Sequence, residues 1–214
     1  AVQNIENAYF CCRPNESASL NKEPIETEEE QKITYLLFKN LNHKTAENVI
    51  KQLKKVDIKN DEDFLVNSFV KFSKIGTYYD LDNASYVLSQ LYQTWMKPTV
   101  IKVLQKLEQD IENNLDSSNP SGYQYRIQQI NFISTLYFYE IVKTSQIFDI
   151  LETLIPNDYK EISSSDTSFR IRMACTLLEN LSFIGLKASN KGEMNKSKRR
   201  LDGFLKFFHT FIFQ

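Results

Sequence analysis

From Pro98 to Ser118 the apolar residues Val100, Val103, Leu104, Leu107, Ile111 and Leu115 recur with the period of an α-helix, roughly 100° per residue. Proline suits the start, because the N–H it lacks has no intrahelical partner in a first turn. The opposite side collects Gln105, Gln109, Glu112 and Asp116, with Glu108 on one shoulder and Asp110 on the other. One face is therefore core and the other an acid-rich surface. The same period fills most of the chain, and five glycines and five prolines in 214 residues are too few for a meander of short strands and tight turns. The fold class is all-α. About nine or ten helices in antiparallel pairs of about 30 to 45 residues have the period of a HEAT-like superhelical stack, with a compact bundle as the alternative.

In chain order, residues 1–26 read as an irregular lead segment that packs on the domain through Tyr9 and Phe10, and residues 27–214 as a single helical-repeat domain. Thr27 and Glu30 form a capping box for a first helix through Ile33, Leu36, Leu37 and Leu41. Thr45 caps a second, whose inner Val49, Ile50, Leu53 and Val56 leave Lys51, Lys54 and Lys55 pointing outward. Asp61 opens a third helix that Gly76 closes, and a fourth starts near Asp80 or Asp82. The Pro98 helix is the fifth, followed by a loop from Asn113 to Gly122. A broadly apolar sixth spans Tyr123 to Lys143, a seventh Ser145 to Leu154, and an eighth Phe169 to Phe183 after a polar loop. The last begins at a Ser197 cap and carries Leu201, Phe204, Leu205, Phe208, Phe211 and Ile212.

The chain holds 26 Lys and Arg against 27 Asp and Glu, so no net charge draws it to nucleic acid or anionic lipid. Apolar runs fall far short of the roughly 18 residues of a membrane span, which argues against a membrane partner. The first residue is not methionine, as expected of a soluble fragment excised from a longer protein. Cys11, Cys12 and Cys175 make neither a disulfide framework nor a C-x-x-C metal site, and His43 and His209 lack carboxylates in ligand spacing. These features fit a reducing cytosolic or nuclear setting, the cytoplasm being the expected one, with no metal and no cofactor. Phosphate-cradling glycine loops and nucleophile elbows are missing, and nothing suggests a desolvated setting that would split the pKa values of a pair such as Glu108 and Glu112. The expected class is binding rather than catalysis.

Three charged features compete for that binding role. The acids of the fifth helix suit a basic partner, and Lys51, Lys54 and Lys55 supply opposite charge beside them if the two helices are neighbours. The third is Lys196, Lys198, Arg199 and Arg200, cations near a helix start where they oppose the dipole, readable as an RNA or phosphate contact or as a solvated loop. From spacing alone, plain solvated surface is the favoured reading of the acidic face and of the basic cluster.

Three stretches carry a family resemblance: Glu6 to Pro14 (ENAYFCCRP), Phe169 to Leu178 (FRIRMACTLL) and Ser197 to Leu205 (SKRRLDGFL). In this order they resemble the third middle domain of the up-frameshift 2 scaffolds of nonsense-mediated mRNA decay, within the initiation factor 4 gamma middle-domain family. The resemblance implies a non-catalytic stack of helical hairpins that binds the RNA-recognition-motif domain of up-frameshift protein 3, and through it joins the helicase up-frameshift protein 1. It aligns Asp110 and Asp116 with the family's partner-facing acids and Lys54 with a basic contact, while Gln109 stands where an acid is expected, shifting weight to Glu108 and Glu112.

Overall fold

A computed structural model describes residues 27–56, 58–94, 96–115, 122–156 and 164–212, the side chains of 58–60 and 164–166 excepted. The lead segment with its Tyr9-Phe10 anchor lies outside the described residues, as do Asp116 and most of the loop after the fifth helix. Among the described residues all regular structure is helical: α1 (Glu28–Tyr35, continued by a π turn Leu36–Asn40), α2 (Ala46–Leu53), α3 (Ile58–Ile75), α4 (Tyr78–Tyr92), α5 (Lys97–Asn114), α6 (Tyr123–Phe138), α7 (Thr144–Leu154), α8 (Ser164–Ile184) and α9 (Lys191–Ile212).

Helix ends follow local chemistry, with several departures from the pattern read in the sequence. The Thr27 and Glu30 capping box forms as expected, Thr27 N donating to Glu30 Oε2 at 2.8 Å and Glu30 N to Thr27 Oγ1 at 3.2 Å. Thr45 stands at the start of α2 but does not cap it. Its hydroxyl bonds back to the Asn40 carbonyl, and the Asn42 side chain takes the N–H groups of Lys44 and Thr45 instead. At Asp61 the backbone is non-helical (φ −115°, ψ 18°), so regular helix in α3 follows that residue. The cap of α4 is Thr77 rather than Asp80 or Asp82, because Asp80 serves as the third residue of a second capping box. Gly76 separates the two helices, and a β-carbon there would meet the Phe72 carbonyl at 3.1 Å and the Leu81 side chain at 3.3 Å.

The sixth helix is shorter than its apolar pattern. Glu140 adopts a left-handed conformation (φ 63°), and Ile141 N bonds back to Leu136 O at 3.0 Å, closing α6 in the manner usually given to glycine. The eighth helix begins at Ser164, so the stretch expected as a polar loop before Phe169 is helical. The last begins at Lys191, which places Ser197 inside it. Asn190 caps that helix, its Oδ1 accepting from Glu193 N at 2.9 Å.

Packing follows an alternating order. Helix α3 packs on α1 and α5, while α4 packs on α2 and α6, and α6 on α8, so odd and even helices form two layers. This arrangement is a HEAT-like stack. Each helix contributes its stripe to one continuous core, including Leu37, Leu53, Phe69, Leu88, Leu107, Leu136, Leu151 and Leu177. Between the layers the buried hydroxyls of Ser85 and Thr135 meet at 2.6 Å, joining α4 to α6 without stranding a polar group. In the odd layer α7 stands away from α5, leaving a groove of about 110 Å³ between them.

The two sequence stretches inside the described residues are structural parts of this stack. Phe169 stacks on Tyr123 (4.1 Å between centroids, 13°), and Arg170 donates to the Thr153 carbonyl at 3.2 Å, closing the C-terminus of α7. Met173, Ala174 and Leu177 are fully buried, while Cys175 is exposed. From the last stretch, Phe204 enters the core and stacks on Phe208.

Candidate protein-binding groove

The two shoulders of α5 have different fates. Asp110 turns toward α3 and α6, where Lys74 Nζ lies 2.8 Å from its Oδ2 and Gln129 Nε2 donates to the same oxygen at 2.6 Å. Lys74 also sits over the Tyr125 ring at 5.4 Å. Asp110, expected among the partner-facing acids, is thus committed inside the domain. Two of the lysines of α5 are committed on the same side: Lys102 pairs with Glu62, and Lys106 bonds to Asn67. Thr99 also donates to Glu62 at 2.8 Å. These contacts hold the Glu62 carboxyl below the usual range, the Lys102 hydrogen bond being the largest cause.

Glu108 turns the other way, into the groove toward α7. Glu108, Ile111 and Glu112 form one wall, and Gln146, Asp149, Ile150, Thr153 and Leu154 the other. Glu108 is half-buried and accepts a long hydrogen bond from Gln146 Nε2 at 3.4 Å. Burial, then the neighbouring carboxylates of Glu112 and Asp149, push its carboxyl above the ordinary value. Three acids therefore surround one small apolar-floored groove. The carboxylates of Glu112 and Asp149 raise the cost of ionising Glu108, and a cation entering the groove lowers it.

Asp149, together with Glu152 one turn on, was not singled out in the sequence. The signal was a polar face on α7 that is short and carries only two acids, and it gains meaning only from the acids of α5 opposite. Arg200 of α9 reaches over to this edge, its Nη2 lying 2.9 Å from Asp149 Oδ1 and 2.8 Å from Glu152 Oε1. Arg200 is accordingly held by the domain itself, with its guanidinium 5.0 Å from the Phe148 ring centroid. The expected basic cluster is split by the helical turn. Lys198 and Arg199 are exposed, whereas Arg200 is half-buried against α7, and all lie well within α9, so the expected conflict with the dipole at a helix start does not arise.

Lys51, Lys54 and Lys55 are all exposed, as their spacing requires. Their helix, α2, packs mainly on α4 and the π turn, whereas α5 packs on α3, α4 and α6. The condition that would set these lysines beside the α5 acids is not met by the main packing. Among the described residues, the cation that pairs with an acid of α5 is Lys74, at Asp110. His43 and His209 are exposed. Among the described residues no cluster of metal-ligating side chains forms, and no helix is long and apolar enough to cross a membrane.

The family model for the MIF4G domain matches residues 31–210. The chain is similar to the regulator of nonsense transcripts UPF2 of Arabidopsis thaliana, with 30% identity over 216 residues, covering 97% of this chain and 17% of that protein. It is also similar to regulator of nonsense transcripts 2 of Homo sapiens, with 28% identity over 222 residues, covering 99% of this chain and 16% of that protein. The chain therefore spans less than a fifth of the length of these relatives.

Proposed function

This chain belongs to the MIF4G domain family, and on that premise we propose that it is a non-catalytic scaffold domain of the nonsense-mediated mRNA decay machinery. Its likeness along nearly its whole length to regulators of nonsense transcripts supports that role and a cytoplasmic place of work. The partner in this reading is the RNA-recognition-motif domain of up-frameshift protein 3, which links the scaffold to the up-frameshift protein 1 helicase. The observation that carries it is the groove between α5 and α7, where Glu108, Glu112 and Asp149 converge. A lysine or arginine entering from a partner relieves the repulsion at Glu108 and favours its ionised form. Asp116, outside the described residues, belongs to the same reading as the next acid in sequence, and Lys51, Lys54 and Lys55 form a separate, outlying contact.

The test is calorimetry of the chain against that RNA-recognition-motif domain at low and high salt. One-to-one binding that weakens with salt, and weakens again in Glu112→Lys, supports the groove. Unchanged affinity in Glu112→Lys removes it from the interface.

A further inference from the structure

At the other end of α7 lies a larger cleft, about 610 Å³, walled by the α6–α7 connection, the segment before α9, and the first turns of α9. Lys143, Lys187, Lys196 and Arg200 all line it, drawn from three separate parts of the chain. Its two acids are already engaged. Glu140 lies 3.4 Å from Lys187 Nζ, and Glu193 Oε2 accepts from Ser189 N at 3.1 Å. Arg200 is paired with Asp149 and Glu152, which leaves Lys143 and Lys196 exposed, with no carboxylate within salt-bridge distance.

The start of α7 adds to this positive balance. Lys143 occupies the position where a helix ordinarily carries Ser, Thr, Asp or Asn; Gln146 Oε1 accepts from Lys143 N at 3.0 Å, but the Lys143 side chain caps no N–H of the first turn. A lysine has no acceptor to offer, so its cation sits at the positive end of the helix beside the uncapped N–H groups of Thr144 and Ser145. The hydroxyls of Ser145 and Ser197 line the same space. A cation at an uncapped helix start is unfavourable in isolation, and an anion held between them removes the penalty.

We infer that this cleft binds a phosphomonoester, the group carried by a phosphoserine or phosphothreonine side chain. A compact dianion satisfies convergent lysines, hydroxyls and backbone N–H groups together. A nucleic-acid backbone fits less well. Lys198 and Arg199, which would extend the cations into a track, are exposed outside the cleft lining. The two rings in the cleft wall, Tyr137 and Phe148, are 1% and 2% exposed and offer no face to a base. This site is separate from the acidic groove, and its failure would leave the proposed function standing.

The experiment is an amide NMR titration of the whole chain with O-phospho-L-serine, serine and a decauridylate. O-phospho-L-serine is expected to shift the amides of Thr144, Ser145, Lys187 and Lys196 saturably, with Kd on the order of 1 mM, while serine shifts none. Lys143→Ala with Lys196→Ala should weaken binding by tenfold or more, and Lys198→Ala with Arg199→Ala should leave it unchanged. All four side chains are exposed, so both double variants are expected to fold, as their melting temperatures will show. Equal losses in the two variants, shifts lying elsewhere, equal shifts with serine, or tighter binding of the decauridylate at these amides would each overturn the assignment.

Discussion

Removing the Asp110 carboxylate separates the inward role of α5 from its outward one. Gln129 is 0% exposed and its Nε2 donates to Asp110 at 2.6 Å, so Asp110→Ala strands a buried amide donor. That costs about 1–3 kcal/mol. The Lys74 ion pair adds less, because its side chains are 32% and 24% exposed and solvent screens them, about 0.5–1 kcal/mol. The sum is about 1.5–4 kcal/mol, or a melting temperature lower by about 3–16 °C for a chain of this size. Asp110→Asn keeps an acceptor for Gln129 and loses only the ion pair, so it should cost about 0.5–1 kcal/mol. Urea unfolding of both variants beside the parent gives these values directly. An alanine variant within about 0.5 kcal/mol of the parent, or an asparagine variant as costly as alanine, would refute the inward reading of Asp110. So would a stable Asp110→Ala chain that had lost its partner.

Three further outcomes follow from the same geometry. Glu112→Lys, exposed and free of core contacts, should weaken the basic partner by tenfold or more, with a melting temperature within about 2 °C of the parent. Because the Glu108 carboxyl is raised in the folded state, its contribution to stability is fully present below the ordinary glutamate value and is lost as pH rises through the folded value. Glu108→Gln should therefore raise the melting temperature at pH 7 and not at pH 3, and partner binding near pH 5 should release protons, read as a buffer-dependent calorimetric enthalpy. Glu140→Gly should stabilise the chain by up to about 1 kcal/mol in urea unfolding, since Glu140 holds φ 63° and its pairing with Lys187 is 3.4 Å long and exposed; a loss of stability would mean that this pairing outweighs the backbone strain.

The sequence by itself determined the class of fold and the two faces of α5. Helical period depends on local spacing, and the stripe from Val100 to Leu115 could be satisfied only by burial on one side. Even the shoulders were legible: Glu108 and Asp110 flank the exposed face as the wheel predicts. What each shoulder meets was decided by tertiary structure, because Lys74 and Gln129 lie 36 and 19 residues from Asp110, and Asp149 lies 41 from Glu108, and no local pattern specifies such pairings. The same reason accounts for the basic cluster. Consecutive in sequence, Lys198, Arg199 and Arg200 point apart once α9 begins at Lys191, and Arg200 is taken up by acids of α7. Helix ends at Thr77, Glu140 and Asn190 were set by hydrogen bonds that compete closely with neighbouring alternatives, so spacing located the helices well and their termini less well. Charge along a helix is written locally; which charges remain for a partner is known only after the helices have packed.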